Sequence, residues 1–76
     1  MHSEKNLSDL KEEERCTITS VRPSPISERL KELGFTAGTA VVCRCRSFSG
    51  DPAAYYVKGT VIALRKEDAA VVEVDF

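Results

Sequence analysis

A short helix with a sharply defined end constrains the fold of this chain more than any other feature. Ile26, Leu30 and Leu33 follow one another at spacings of four and three, which places them on one face of a helix. Gly34 is suited to the left-handed residue that ends a helix, and Phe35 behind it is placed to pack back on Leu30. The pattern predicts an amphipathic helix that packs on a core and stops at a glycine.

The segment before this helix has the pattern of a strand. Cys16–Val21 is rich in β-branched residues, and Pro23 shortly after it cannot donate a backbone hydrogen bond. Ser24 is a favourable N-cap, and Pro25 suits the first helical position because its missing N–H would be unpaired there in any case. The helix is therefore predicted to start directly after the strand.

Three more strand patterns follow the helix. Ala40–Arg46 alternates between an apolar and a basic face, with Val41, Cys43 and Cys45 on the first and Val42, Arg44 and Arg46 on the second. Ala53–Leu64 is a strand broken or bent at Gly59, which we interpret as a bulge or a barrel corner. Val71–Phe76 alternates apolar with acidic residues. The chain is thus mainly β, with short helices.

The length of the chain limits how these strands can assemble. Its 76 residues provide for one domain with a small core. Closing the sheet would remove the exposed edges, so we predict a small SH3-like β-barrel, with the helix inserted after the first strand. Residues 1–6 are polar and without periodicity and are predicted to form a flexible tail before a single domain, residues 7–76.

Charge and hydropathy exclude several functions. The net charge of −1 argues against binding to nucleic acid, although residues 16–50 carry five Lys/Arg and two Asp/Glu and are locally basic. No run approaches the roughly 18 apolar residues of a membrane-spanning helix. The first ten residues lack the apolar region of a secretory signal, so we expect a cytoplasmic protein.

An enzyme is not expected. The single histidine, His2, lies in the predicted tail, where no nucleophile can be held within its hydrogen-bonding reach. The carboxylates fall in predicted turns and on an outer strand face, without the inward pair that acid–base chemistry needs.

Cys43 and Cys45 are the only candidates for metal ligands. A C-x-C pair on a strand directs both sulfurs to one face, where they could bind a soft metal if Cys16 or His2 joined them. A metal shared between two copies is a second arrangement. The simpler interpretation is that the cysteines are small core residues beside Val41, so no cofactor is expected.

A basic and aromatic patch is predicted on the outside of the barrel. It would combine arginines and tyrosines from three segments: Arg22, Arg44, Arg46, Tyr55 and Tyr56. Arginine and tyrosine are typical anchors of protein interfaces, and they also bind single-stranded RNA. The alternative is an ordinary solvated face, and the acidic pI makes RNA the weakest of the three interpretations.

The residues around the helix have local structural duties. Leu30, Leu33, Gly34 and Gly38 are expected to pack, cap or turn the chain. Arg29, on the exposed side of the helix, has no such duty and is a further candidate for contact with a partner.

Several landmarks resemble the FeoA family of bacterial proteins. The run Arg29–Thr39 resembles its RL-x-x-LG-hydrophobic-x-x-G-[ST] signature, and Leu7–Leu10 is similar to its opening L-x-x-L. Downstream, the matching positions in order are Gly50-Asp51-Pro52, Gly59, and Leu64-Arg65 followed by Ala69. The chain departs from the family at Glu13-Glu14, often Pro-Gly, and at Ala37, often Pro. Both departures fall in turns.

The resemblance implies a function in ferrous iron transport. FeoA proteins are non-enzymatic SH3-like proteins that act as accessories to FeoB, a membrane iron transporter with a cytosolic GTPase domain. A FeoA-like chain would dock on that transporter, alter its assembly or GTPase activity, and meet the inner membrane only through it. The module is also similar to the C-terminal domain of iron-dependent repressors, which leaves open a regulatory or metal-binding interaction module. A homodimer is open as well.

Overall fold

The computed structural model describes residues 5–76, so His2 lies outside the described residues. The strands, in chain order, are β1 Lys5–Asn6, β2 Arg15–Val21, β3 Ala40–Arg46, β4 Ala53–Val57, β5 Thr60–Leu64 and β6 Val72–Asp75. The helices are a 3₁₀ turn Leu7–Asp9, α1 Ser27–Glu32 and α2 Lys66–Ala69. The prediction of a mainly β chain with a helix between its first long strand and the next is confirmed.

All six strands join one antiparallel sheet in the order β1-β6-β2-β3-β4-β5. The prediction of a closed sheet is wrong within residues 5–76, because β1 and β5 lie at opposite ends of this order and are not paired there. A β1 of two residues offers little backbone for pairing with a strand of five residues. The sheet therefore keeps β5 as an edge strand.

The start of the chain belongs partly to the sheet. Lys5 pairs with Val74 and Asn6 with Glu73, so these two residues of the predicted tail, residues 1–6, belong to the sheet, and the other four lie outside the described residues. Asn6 then caps the 3₁₀ turn: its side chain accepts a hydrogen bond from the Ser8 N–H at 2.9 Å. This cap holds the turn that carries the first buried leucine.

Helix α1 starts two residues later than its sequence predicts. The Ser24 hydroxyl accepts a hydrogen bond from the Ile26 N–H at 3.3 Å, and its carbonyl accepts one from the Ser27 N–H at 3.2 Å. Ser24 thus closes a turn through Pro25 and Ile26, and the helix begins only at Ser27. Competition between a local turn and the helix is common for serine.

The predicted glycine stop of α1 is confirmed. Gly34 has φ of +112°, its N–H donates to the Lys31 carbonyl at 3.1 Å, and the Phe35 N–H donates to the Leu30 carbonyl at 3.0 Å. These two bonds define a Schellman motif. Leu30 and Phe35 are fully buried. Leu33 is 36% exposed, so it contributes less to the core than its position on the apolar face of the helix predicts.

Gly59 lies in a hairpin turn and not in a bulge or at a barrel corner. Lys58 and Gly59 both have positive φ, 48° and 82°, and they link Val57 to its cross-strand partner Thr60. A two-residue turn with both residues in this region is a type I′ turn, which matches the twist of the strands it joins. The single predicted strand, Ala53–Leu64, is therefore a β-hairpin.

The loop after β3 and the start of α2 are joined by one aspartate. Asp51 accepts a hydrogen bond from the Lys66 N–H at 2.9 Å, and its carboxylate lies 3.6 Å from Nε of Arg65. Leu64 beside them is buried. Two landmarks that are far apart in the sequence, Gly50-Asp51-Pro52 and Leu64-Arg65, thus meet in the fold.

A bulge in β3 reverses the faces of its last residues. Cys43 pairs with Tyr55 but Cys45 pairs with Ala54, so β3 contributes one extra residue between two consecutive pairs. Cys43 is fully buried, Cys45 is exposed and Arg46 is half-buried. The predicted faces of Cys45 and Arg46 are therefore wrong, since strict alternation holds only up to Cys43.

Candidate docking surface

The outward face of β3, β4 and β5 carries a cross-strand row of apolar side chains. Val42 of β3 lies opposite Tyr56 of β4, and Tyr56 lies opposite Val61 of β5. Tyr56 is 39% exposed and Val61 57% exposed, and both turn away from the core because their neighbours Tyr55 and Val57 point inward. We call the row Val42, Tyr56 and Val61 the outer row.

Arg44 lies over Tyr56, the middle residue of the outer row. Its guanidinium carbon is 5.1 Å from the centre of the Tyr56 ring, and Nη1 is 3.6 Å from a carboxylate oxygen of Glu13. A cation over an aromatic face at this distance is worth about 0.5–1 kcal/mol at an exposed site, and an exposed ion pair is worth less than about 1 kcal/mol. Both contacts can therefore be exchanged for contacts with a partner.

Arg46 does not belong to this surface. Its guanidinium turns inward, donating to the carbonyl of Leu10 from Nε at 2.8 Å and from Nη2, and to the carbonyl of Ser8 at 3.0 Å. Its Nη1 also reaches the Gly50 carbonyl at 3.5 Å. Arg46 therefore does not lie on the face predicted for it, because its donors hold the 3₁₀ turn against the sheet.

Tyr55 is a core residue. Its side chain is 1% exposed, and its hydroxyl donates a hydrogen bond to the Leu7 carbonyl at 3.2 Å. Burial raises the pKa of Tyr55, and the nearby Arg46 lowers it in part. The prediction that Tyr55 lies on a docking surface is wrong, because two adjacent residues of a regular strand cannot both face outward.

Arg22 and Arg29 lie on other elements. Arg22 donates to the Ala70 carbonyl at 2.8 Å and lies 3.7 Å from a carboxylate oxygen of Glu73, beside a polar cleft of about 100 Å³. Arg29 is exposed on α1. Of the predicted arginines and tyrosines, the fold thus brings only Arg44 and Tyr56 together on the outward face of the sheet.

Two exposed apolar residues were not singled out by the sequence. Val61 stands in the outer row, and the alternation of Thr60–Leu64 could have indicated its outward position once the strand was recognised as separate. Phe48 is fully exposed in the loop Ser47–Pro52. A phenylalanine among serine, glycine and proline residues has no apolar neighbour to pack on, and this was the signal for its exposure.

The cysteines do not converge on a metal. Cys43 points into the core and Cys45 away from it, so the two sulfurs of the C-x-C pair lie on opposite faces. Residues 5–76 bring no three cysteine, histidine, aspartate or glutamate side chains together in a metal-binding geometry. The predicted pairing of Cys43 with Cys45 in one site is therefore wrong, and these residues do not fit a zinc site within one molecule.

We predict that only one of the three thiols of the native chain reacts quickly with a water-soluble thiol reagent at pH 8. Burial raises the pKa of Cys16 to about 11 and also raises that of Cys43, whereas Cys45 is exposed. Absorbance-based thiol counting checks this. The Cys45→Ser variant should lose the fast phase and Cys43→Ser should keep it, and two fast thiols in the native chain would contradict the faces assigned here.

The fold defines a small SH3-like domain, and the outer row is its candidate docking surface. The model of the FeoA domain matches residues 5–75. The chain belongs to the FeoA family. No curated protein matches it, and no helix within residues 5–76 is long and apolar enough to cross a membrane.

Solved structures of FeoA proteins are similar to this one over almost the whole chain. The Stenotrophomonas maltophilia FeoA, solved in complex with zinc, is 33% identical with a TM-score of 0.86, covering 93% of this chain and 89% of that one. It is described as a prokaryotic SH3 domain protein and a candidate ferrous iron transport activating factor. The Chlorobium tepidum FeoA is 30% identical with a TM-score of 0.84, covering 92% and 68%. A FeoA-like protein of Clostridium acetobutylicum has the same fold at 21% identity, with a TM-score of 0.88 over 99% and 88% of the two chains.

Proposed function

We propose that this chain is a non-enzymatic, cytoplasmic accessory protein of bacterial ferrous iron transport that docks on a FeoB-like transporter and alters its assembly or GTPase activity. Membership of the FeoA family supports the pathway. The observation that carries the docking mechanism is the contact of Arg44 with Tyr56 on an exposed apolar row, since arginine and tyrosine anchors are enriched in protein interfaces.

The geometry of the outer row suits a protein that regulates its partner by binding to it. The outer row rests on three strands whose inward side chains are buried, including Val41, Tyr55 and Val57, so the surface is rigid and loses little entropy when it binds. A rigid accessory protein can favour one conformation of a partner only through a difference in affinity for its two states. The direction of the effect on GTP hydrolysis therefore depends on which state of the transporter exposes the complementary surface.

A matched pair of charge reversals tests the docking mechanism. We expect Arg44→Glu to weaken binding to the cytosolic domain of the transporter by about tenfold or more, as loss of an interface anchor does. Arg22→Glu, on another part of the surface, should leave the affinity within about twofold. Calorimetric titration measures both. Equal losses in the two variants would overturn the assignment of the surface, and no binding by the wild-type chain would overturn the proposed partner.

A metal-binding regulatory module is the second candidate, favoured by the zinc in the Stenotrophomonas maltophilia protein. In this chain the exposed thiol of Cys45 is available to a transition metal, but the described residues bring no three cysteine, histidine, aspartate or glutamate side chains together around it. A metal at Cys45 would have to be shared between two copies. Zinc that binds only to a dimer and is lost in Cys45→Ser would favour this candidate over docking.

A further inference from the structure

β5 presents unused backbone hydrogen-bonding groups along one side. Because a two-residue turn joins it to β4, Val57 and Thr60 exchange both backbone hydrogen bonds, and the pairing then alternates along the hairpin. The N–H and C=O groups of Val61 and Ala63 consequently point away from β4. Within residues 5–76, no backbone hydrogen bond joins these groups to another part of the chain.

The edge of β5 lacks the features that usually protect an edge strand. Thr60–Leu64 contains no charged residue, proline or glycine, and its register with β4 runs without a bulge from Ala53 opposite Leu64 to Val57 opposite Thr60. The opposite edge of the sheet, β1, is only two residues long. An exposed, regular and apolar edge strand promotes aggregation, and a binding partner that covers it would remove this risk.

The side chains beside this edge continue the outer row. Val61 has both an outward side chain and outward backbone groups, and the Tyr56 ring lies next to it on β4. A strand placed alongside β5 would set one of its own side chains beside Val61, within reach of Tyr56 across the sheet. Hydrogen bonds between the two backbones would thus supply affinity. The position beside Val61 would favour an apolar residue in the added strand.

The charges around β5 favour a different chain over a second copy of this one. Antiparallel pairing of two copies about Ile62 would match Val61 with Ala63 and use all the free groups, but it would also bring the Lys58 turn of each copy toward Lys66 at the start of α2 in the other. Like charges at opposite positions destabilise strand pairing. Arg65, which follows β5 directly and is exposed, adds a further cation. The exposed cations beside β5 therefore favour an acidic segment as its partner.

We propose that β5 binds an extended segment of a partner protein as an additional strand, with an apolar residue beside Val61 and Tyr56 and an acidic residue near Lys58. This inference rests on the proposed docking function and specifies its partner: a flexible segment of the transporter's cytosolic part that orders on binding. The backbone groups of Val61 and Ala63 are the anchors, and Arg44 contributes at the edge of the contact.

Amide hydrogen exchange of the free protein tests the edge without any partner. The amides of Val61 and Ala63 are expected to exchange about tenfold or more faster than that of Ile62, which is directed toward β4. Equally slow exchange at low protein concentration would show that the edge is covered, and would overturn the proposal. Slow exchange that appears only at high concentration would show that a second copy is the occupant, and would overturn it as well.

Two variants test the added strand in the complex. Ala63→Pro removes one outward N–H and leaves the bonds to β4 intact, and Val61→Lys adds a charge at a 57% exposed position, as natural edges do. Both are expected to weaken binding to the transporter's cytosolic domain by about tenfold or more while the melting temperature of Val61→Lys stays unchanged. Phe76→Lys, after β6, is the matched control.

The outcomes separate this inference from the function on which it rests. If the wild-type chain binds and both variants bind equally well, the added strand is wrong and the docking function stands. If the wild-type chain does not bind the transporter, the docking function is wrong and so is the partner named here. Protection of the Val61 and Ala63 amides on complex formation, absent with Val61→Lys, would support the proposal.

Discussion

Arg46→Met is expected to lower the free energy of unfolding by about 2–3 kcal/mol, because it leaves the carbonyls of Ser8 and Leu10 without their charged donor. Methionine retains most of the length of the arginine side chain, so the loss reports mainly on the hydrogen bonds. The 3₁₀ turn would loosen with them, and with it the buried side chains of Leu7 and Leu10. Urea denaturation followed by circular dichroism measures the change.

Arg44→Met is the matched control for this experiment. The two arginines are two residues apart on the same strand, yet Arg44 makes only exposed contacts with Glu13 and Tyr56. Its replacement should change the free energy of unfolding by no more than about 0.5 kcal/mol. Equal losses in the two variants would mean that the bulge in β3 does not separate their faces.

Gly34→Val is expected to lower the free energy of unfolding by about 2–3 kcal/mol, since a β-branched residue at φ of +112° is strained whatever the space around it. For a domain of this size the corresponding drop in melting temperature is about 10–20 °C. A Cβ at this position would also lie 3.4 Å from Cδ of Lys58. Differential scanning calorimetry measures the shift.

The Lys58→Ala background distinguishes backbone strain at Gly34 from crowding by the Lys58 side chain. Lys58→Ala removes the side-chain atoms nearest to the new Cβ. If backbone strain is the cause, Gly34→Val should lower the free energy of unfolding by about the same amount in the Lys58→Ala background as in the wild type. A melting temperature unaffected by Gly34→Val would show that the Schellman stop does not depend on glycine. Recovery of most of the stability in the double variant would assign the loss to side-chain contact instead.

The candidate surface was predictable in part. The sequence predicted Arg44 and Tyr56 as candidate interface residues, because arginine and tyrosine stood on predicted strands, and the structure places both on the outward face. It could not decide which of Tyr55 and Tyr56 points outward, since that depends on which residue of β4 meets the core. Val61 was missed because the turn at Lys58-Gly59 was interpreted as a bend within one strand.

The cysteine pair shows the same limit. In an unbroken strand Cys43 and Cys45 would share a face, which was the basis for considering them as ligands. The bulge lies between them, and neither residue carries a local signal for it. Its cause is in the pairing of β3 with β4, where Arg46 turns inward to reach backbone carbonyls of the 3₁₀ turn.

By itself the sequence determined much of the local structure: the strands β2, β3 and β6, the helix between β2 and β3, and the glycine that ends it, because residue preferences and apolar spacing act over a few residues. Only the tertiary structure decided that the sheet stays open at β5 and that Arg46 faces inward while Cys45 faces out. These features depend on which strands meet and in which register, and contacts between segments far apart in the chain leave no pattern in either segment alone.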